Sequence, residues 1–410
     1  MNYNEIIREL NWAVLGSPVM EGEAKLGFAR FYYGDVAPCV KDIFNKYTPS
    51  GKIAIIANKK SFGTTGLEII SAIRSAGGQT INVVLGEDVD FSTDEVCGLF
   101  QVAEDVRLVV VLDYPLFDIA AYFATVRNIP MISIVRDLKP KGLLAKRVYV
   151  KNGNTIDSYG ISTTRHVIFT GDVFSEKQTL ADVYAYCASK IVALMDYRIV
   201  GAINGGELNR IAYYLARTAV LGVFGLSKDD KEFKEKIFSY AIKLEIADNM
   251  ADGKLLNLSS PSIAEFIACG KFGKCAGVEL SAACIALELY DKCFNGEVEK
   301  NVLPPDYSAR AERLSKLANF NEKDLLKHFK SQISAFNFKR KKIASVKDSL
   351  KDEVKKTAKL APRIMDRYLE LGGDNNLDTA LISEAIKLSG DTDISLNGMS
   401  LVRDSGLLEK

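Results

Sequence analysis

The stretch from Val106 to Arg136, VRLVVVLDYPLFDIAAYFATVRNIPMISIVR, decides the fold. It predicts a buried strand at residues 108–112, a helix at 116–126 and a second buried strand at 131–135. Both strand segments are continuous apolar runs, which is typical of parallel strands covered on both faces. The turn that follows the first strand of such a βαβ unit faces whatever the sheet binds.

The flanking sequence extends this pattern into a parallel, doubly wound sheet. Apolar runs at residues 52–57 and 80–85 predict two further strands, and a helical pattern lies between them. Asn152-Gly153-Asn154 predicts a hairpin turn, and residues 164–169 predict the last strand. We therefore expect a Rossmann-like α/β domain at residues 1–172.

Beyond Gly171 almost every segment has helical periodicity, which predicts an all-helical C-terminal domain at residues 173–410. The predicted helices are 180–197, 207–224, 228–247, 262–295 (broken near its glycines), 309–317, 322–336, 347–371 (interrupted at Pro362) and 377–388.

Composition excludes several classes of function. The 410 residues include 53 Lys and Arg against 52 Asp and Glu, so no net charge favours nucleic acid or an anionic membrane. No apolar run reaches the roughly 20 residues of a membrane span, and the polar N-terminus argues against a signal peptide. Seven scattered cysteines predict reduced thiols and a cytoplasmic protein. Two histidines exclude a site that needs several imidazoles.

Six segments in order carry a resemblance to a known superfamily. They are ARFYYGDVAPCVKDIF, the 106–136 stretch, YVKNGNTIDSYG, TLADVYAYCASKIVALMDYRI, SPSIAEFIACGKFGKCAGVEL and GMSLVRDSGLLE. Together with the layout they resemble the iron-containing alcohol dehydrogenases and 3-dehydroquinate synthases, and most of all the glycerol-1-phosphate dehydrogenases. The resemblance implies a dehydroquinate synthase-like fold, NAD(P)-dependent oxidation of a polyol phosphate at a divalent metal, and a homo-oligomer.

The nicotinamide site departs from the family's G-G-G-S-x-x-D turn, whose glycines let the backbone approach the pyrophosphate. Here Leu112, Asp113, Tyr114 and Pro115 follow the strand, and only Asp118 of the motif is kept. Side chains fill the phosphate space, and the Asp113 carboxylate repels an anion. At the cofactor-binding positions the resemblance thus places Asp113, Tyr114 and Asp118.

Two lysines lie at other positions implied by the resemblance. Lys59, with Lys60 and Ser61, follows the first strand of the doubly wound sheet, where a second cofactor contact would fall. A solvated loop is the alternative for that segment. The family's D-G pair becomes Lys141-Gly142, which makes Lys141 a candidate for binding substrate phosphate.

The metal site of the family consists of one Asp and two His. Those positions align with Tyr186, Phe266 and Lys274, so we expect no metal and no nicotinamide cofactor. Lys274 and Tyr186 are the candidate catalytic residues, because a lysine in a cleft can hold a phosphate or act as a base. The alternative is that Lys274 extends to solvent and Tyr186 packs in the core.

Two further sets of candidate residues lie near these positions in the sequence. Ser262 is a candidate phosphate ligand, and capping of its helix is the alternative. Cys187, Cys269 and Cys275 predict small buried thiols rather than a zinc site, because zinc favours tighter cysteine pairs or added histidines.

These residues predict a divergent glycerol-1-phosphate dehydrogenase-like protein that has lost its metal and nicotinamide sites. Such a protein would act in binding or assembly, or would carry out unrelated chemistry in a cleft between the two domains that binds a small phosphorylated polyol. A separate possibility is a cleft that binds a sugar phosphate through Lys274, Lys59 and Ser262 and performs non-redox chemistry. The alternative is an active NAD(P)-dependent oxidoreductase on glycerol 1-phosphate, dihydroxyacetone phosphate or a related polyol phosphate.

Overall fold

A computed structural model describes most of the chain. The described residues are 24–26, 29–48, 51–86, 98, 105–112, 116–136, 141–152, 155–163, 165–170, 180–204, 209–227, 232–256, 259–270, 275–295, 306–392, 396–405 and 407–408. They divide into two compact units, residues 1–178 with 231–245 and residues 179–230 with 246–410. The sequence did not indicate that residues 231–245 group with the first unit.

The first unit is built on a seven-stranded sheet in the order β1-β2-β9-β6-β5-β3-β4. All described neighbours in it pair in parallel except β1 and β2. A separate antiparallel hairpin pairs β7 with β8. The strands are β1 (Ala24–Leu26), β2 (Ala29–Tyr33), β3 (Lys52–Asn58), β4 (Gln79–Leu85), β5 (Val106–Val111), β6 (Met131–Val135), β7 (Arg147–Asn152), β8 (Thr155–Gly160) and β9 (Arg165–Phe169).

Helices cover the sheet because its strands are apolar on both faces. The helical elements of this unit are α1 (Val36–Tyr47), α2 (Lys59–Ser61) with a π-helical turn (Phe62–Gly66), α3 (Leu67–Ser75) and α4 (Phe117–Arg127). One face of β3 and β5 packs under α1 and α3 in a core that includes Phe44, Ile55, Ile73 and Val110. Helix α4, between β5 and β6, contacts both of those strands.

The second unit is mostly helical, as the sequence predicts. Its elements, with α7 shared between the units, are α5 (Leu180–Asn204), α6 (Arg210–Phe224), α7 (Phe233–Met250), α8 (Ser260–Cys269), α9 (Ala276–Asn295), α10 (Tyr307–Ala318), α11 (Glu322–Ala358), α12 (Ala361–Glu370), α13 (Thr379–Leu388), a 3₁₀ turn (Ser389–Asp391) and α14 (Gly398–Asp404). Helices α5 and α9 pack together at its centre.

The fold class predicted from the sequence is confirmed: a Rossmann-like parallel sheet precedes a mostly helical region. The hairpin at Asn152 is also confirmed, because β7 and β8 pair on either side of it. No described helix is both long and apolar enough to cross a membrane.

Candidate functional site

The carboxyl ends of β3 and β5 mark the point where the sheet changes direction. From β3 the chain runs to β4 on one side, and from β5 it runs to β6 on the other, while β3 and β5 pair in parallel. Doubly wound sheets bind ligands outside such a switch point. The turn after β5, which contains Asp113 and Tyr114, lies outside the described residues.

The segment after β3 is described, and it is rich in donors. Asn58 Oδ1 accepts a hydrogen bond from the Ser61 backbone N–H at 2.9 Å, which begins the helical run at Lys59. The π-helical turn follows, a feature that is frequent at functional sites. Lys59 and Lys60 are exposed, and Arg136 Nη1, at the end of β6, donates to Thr65 Oγ1 at 2.7 Å. These cations can attract an anion to this edge of the sheet.

Asp118 and Lys141, assigned to different ligands from the sequence, interact with one another in the structure. Asp118 lies in the first turn of α4, and its pKa is raised to about 6 by burial, against opposing effects of Arg165 and Lys141. Within the described residues no donor reaches Asp118 Oδ1. A Cβ on Gly142 would lie 2.7 Å from that oxygen, so the glycine permits the close approach.

Arg165 also belongs to this cluster, and no sequence pattern indicated it. It is fully buried in β9, and its guanidinium donates to the carbonyl oxygens of Gly142, Leu143 and Ala145. Burial lowers its pKa to about 10, while Asp118 and Glu245 oppose the shift. The cluster therefore positions the 141–145 turn beside α4, and it leaves the roles of Asp118 and Lys141 in ligand binding as predictions.

The Asp118 carboxyl should make stability depend on pH. Its pKa is about 6 in the folded chain, above the ordinary value of 3.8, so the folded state binds more protons between those limits. Stability from this group therefore rises as pH falls through that window, by roughly 3 kcal/mol in all. We expect wild type to gain stability relative to Asp118→Asn between pH 6 and pH 4, measured by urea unfolding. A difference independent of pH would contradict this assignment.

In the second unit Tyr186 and Ser262 both contact Lys190, a lysine on α5. Lys190 is fully buried, and its Nζ donates to Glu279 Oε1 and, at 3.3 Å, to Ser262 Oγ. Ser262 Oγ donates in turn to Glu279 Oε1 at 2.6 Å, and the Lys190 Nζ lies 5.0 Å from the centre of the Tyr186 ring. The structure thus joins the two predicted residues through a buried ion pair.

The contacts of Ser262 and Tyr186 bear on the alternative that was stated for each of them, helix capping for Ser262 and core packing for Tyr186. Ser262 does not cap α8: Ser259 is the N-cap residue, and the Ser262 hydroxyl bonds to Glu279 and to the Leu256 carbonyl. Tyr186 is 4% exposed, which favours the core-packing alternative. Whether Ser262 contacts a phosphate and Tyr186 takes part in catalysis stays a prediction.

The two described residues at the positions that the resemblance aligns with metal ligands do not fit a metal. Phe266 carries no ligating atom, and its ring contacts Phe320 with the centres 6.1 Å apart. The Tyr186 ring lies against the Lys190 ammonium. The positive charge of that ammonium would repel a metal ion bound at this position. Lys274 lies outside the described residues. Among the described residues, no group of three or more His, Cys, Asp or Glu is placed to hold a metal ion.

Asp196, a polar residue of α5, joins four helices by its carboxylate. It accepts hydrogen bonds from Ser260 N at 2.7 Å, Ser260 Oγ at 2.8 Å, Gly398 N at 2.8 Å and the Tyr290 hydroxyl. Burial raises the pKa of this carboxyl, and the same hydrogen bonds oppose the shift. The contacts are all internal, which indicates a structural role.

Comparison with known proteins identifies the fold. No protein-family model and no curated protein matches the chain. Over 95% of this chain and 99% of the other, the structure is similar to an archaeal halo-thermophilic Red Sea brine pool alcohol dehydrogenase bound to NZQ, with 14% identity and a TM-score of 0.53.

Two further solved structures are similar over most of the chain at lower TM-scores. An iron-containing alcohol dehydrogenase from Thermococcus thioreducens is 12% identical over 88% of this chain and 98% of its own, with a TM-score of 0.48. The NADH-dependent butanol dehydrogenase A from Thermotoga maritima is 14% identical over 91% and 98%, with a TM-score of 0.49. The match to the Red Sea brine pool enzyme shows the fold alone: this chain has an alcohol dehydrogenase fold, in which a parallel-sheet unit precedes a mostly helical unit, as the resemblance implied.

Proposed function

We propose that the protein binds a small phosphorylated polyol and is a divergent relative of the glycerol-1-phosphate dehydrogenases without their metal and nicotinamide chemistry. The observation that carries the proposal is the use of Tyr186 and Phe266 in packing. A dehydrogenase of this family needs its metal to polarise the substrate oxygen. Two of the three positions that would hold the metal are aromatic side chains with aromatic or cationic neighbours.

Among the described residues, the lysine beside Tyr186 is not placed to take over the metal's role. Lys190 is fully buried, and its ammonium is paired with the Glu279 carboxylate, so the pair carries no net charge. Breaking such a buried pair to bind a substrate would leave the Glu279 carboxylate without its cation. This ion pair therefore supports a structural role for Lys190 in the helical unit.

The carboxyl-terminal edge of the sheet supports the binding of an anion. Lys59, Lys60 and Arg136 supply positive charge at the carboxyl ends of β3 and β6. A phosphate ester carries nearly two negative charges at neutral pH, and it needs no glycine turn to bind lysine side chains. The hydroxyls of Ser61 and Thr64 lie on the same segment as the two lysines. Lys141, in the same unit, stays an additional candidate for this ligand.

The alternative is an active NAD(P)-dependent oxidoreductase on the same phosphates. It is supported by the position of the Lys59 segment, because nucleotides bind doubly wound sheets at the switch point between strands such as β3 and β5. In that case the lysines would contact the cofactor phosphates instead of the substrate.

Ligand binding should be measured by isothermal titration and thermal shift with glycerol 1-phosphate, with glycerol as the uncharged control. We expect a shift with the phosphate alone, since a ligand at 100 times its dissociation constant stabilises by about 2.7 kcal/mol. Lys59→Ala should weaken binding by roughly tenfold, an energy of about 1.4 kcal/mol. Lys356→Ala, which removes an exposed lysine of α11, is the matched control and should bind as wild type does.

Three results would contradict the proposal or its placement of the site. Equal stabilisation by glycerol and by glycerol 1-phosphate would show that the phosphate is not recognised. Absence of any shift, with a protein that melts cooperatively, would show that the ligand class is wrong. Equal weakening by Lys59→Ala and Lys356→Ala would place the site away from β3.

A further inference from the structure

Cys269 and Cys275 lie at facing ends of two consecutive helices. Helix α8 ends at Cys269, and α9 begins at Ala276, directly after Cys275. Gly270, with φ at 72°, reverses the chain after α8. The Cys269 and Cys275 side chains are joined by a hydrogen bond. Both cysteines are partly exposed, whereas the sequence predicted buried thiols.

Cys275 has surroundings that favour its thiolate. The hydrogen bond from Cys269 and the backbone N–H groups of Val278 and Gly277, in the first turn of α9, lower its pKa to about 6 although partial burial and Asp182 oppose the shift. Its own backbone N–H donates to Glu265 Oε1 at 2.7 Å, which fixes the residue at the helix start. A thiolate with a neighbouring thiol is the arrangement that performs disulfide exchange.

The other described cysteines differ from this pair. Cys187, Cys284 and Cys293 are buried, and burial with the nearby Glu288 raises the pKa of Cys284 to about 12. Cys39 is partly exposed, as Cys275 is, but burial and two neighbouring aspartates raise its pKa above the usual value. Cys39 is therefore a suitable internal control for exposure without activation.

We propose that Cys269 and Cys275 form a reversible dithiol–disulfide site that reacts with low-molecular-weight disulfides of the glutathione type. The Cys275 thiolate attacks one sulfur of the disulfide, which forms a mixed disulfide and releases one thiolate. Cys269, after losing its proton to solvent, attacks the Cys275 sulfur and releases the second thiol. Two protein thiols are oxidised to one disulfide, and one small disulfide is reduced to two thiols.

The product links the end of α8 to the start of α9. This bond is a covalent link between two consecutive helices. The site includes no residue of the sheet, so its reaction can be tested without reference to the proposed contact of Lys59 with phosphate.

Oxidation can be followed by mass spectrometry after equilibration in glutathione buffers of increasing oxidised fraction. Trypsin cleaves after Lys271 and Lys274, so a Cys269–Cys275 bond joins two otherwise separate peptides. We expect the joined peptides in wild type and in Cys39→Ser. Cys269→Ser should instead retain glutathione on Cys275, and Cys275→Ser should prevent both products. Wild type that keeps two thiols in fully oxidised buffer, or one glutathione per chain without the joined peptides, would overturn the proposal.

Alkylation rates give a second readout that does not need a disulfide. With iodoacetamide at pH 6.5, Cys275 should react on the order of tenfold faster than Cys39, because a larger thiolate fraction outweighs its lower intrinsic nucleophilicity. The rate at Cys275 should reach half its maximum near pH 6. Equal rates at the two cysteines would contradict the activation of Cys275.

Discussion

Asp196→Ala should lower the free energy of unfolding of the helical unit by about 4 kcal/mol. The substitution removes the acceptor for the backbone N–H groups of Ser260 and Gly398, which cannot turn towards water, and for the hydroxyls of Ser260 and Tyr290. Each buried donor left without an acceptor costs about 1–3 kcal/mol. Urea unfolding followed by circular dichroism measures the loss.

The matched control for this variant is Asp352→Ala, which removes an exposed aspartate of α11. Substitutions of that kind change stability by less than about 0.5 kcal/mol. An Asp196→Ala protein that unfolds within about 1 kcal/mol of wild type would show that Asp196 does not hold its helices together. The residue would then be available for a role in binding.

Lys190→Met should destabilise the same unit by about 3–5 kcal/mol. The substitution leaves the Glu279 carboxylate buried without its cation, since Glu279 is 1% exposed and accepts from Lys190 and Ser262. Removing one partner of a buried ion pair is more costly than removing both. Lys190→Met combined with Glu279→Leu should therefore recover most of the lost stability in urea unfolding.

This pair of variants separates a structural lysine from a ligand-binding one. Recovery in the double variant, with unchanged affinity for glycerol 1-phosphate, is the expected result. A double variant that is stable but no longer binds the phosphate would instead assign Lys190 to the ligand. A double variant no more stable than Lys190→Met would contradict the ion-pair account.

Much of the first unit could be predicted from the sequence, because parallel strands that are buried on both faces consist of continuous apolar runs. The runs at residues 52–57, 80–85, 108–112 and 131–135 all lie within or next to β3, β4, β5 and β6. Long polar helices are harder to delimit. Helix α11 runs from Glu322 to Ala358, whereas the sequence predicted two helices, because the apolar period fades where no proline or glycine ends the helix.

The residue types of the candidate site could be predicted from the sequence, but the contacts between those residues could not. Ser262 and Asp118 were each singled out in the sequence by alignment to motifs. Their partners are distant along the chain: Lys190, which donates to Ser262, lies 72 residues before it. Arg165 lies near enough to affect the pKa of Asp118 only because β9 and the 141–145 turn lie beside α4, and no local sequence pattern encodes that arrangement.

The central claim is that the protein keeps a dehydrogenase fold without dehydrogenase chemistry. Its most direct test is the oxidation of NADH and NADPH with dihydroxyacetone phosphate, measured by absorbance with folded protein supplied with zinc or with ferrous iron under anaerobic conditions. We predict no protein-dependent oxidation under any of these conditions. A rate that is proportional to protein and saturates with dihydroxyacetone phosphate would contradict the claim and would identify an active oxidoreductase.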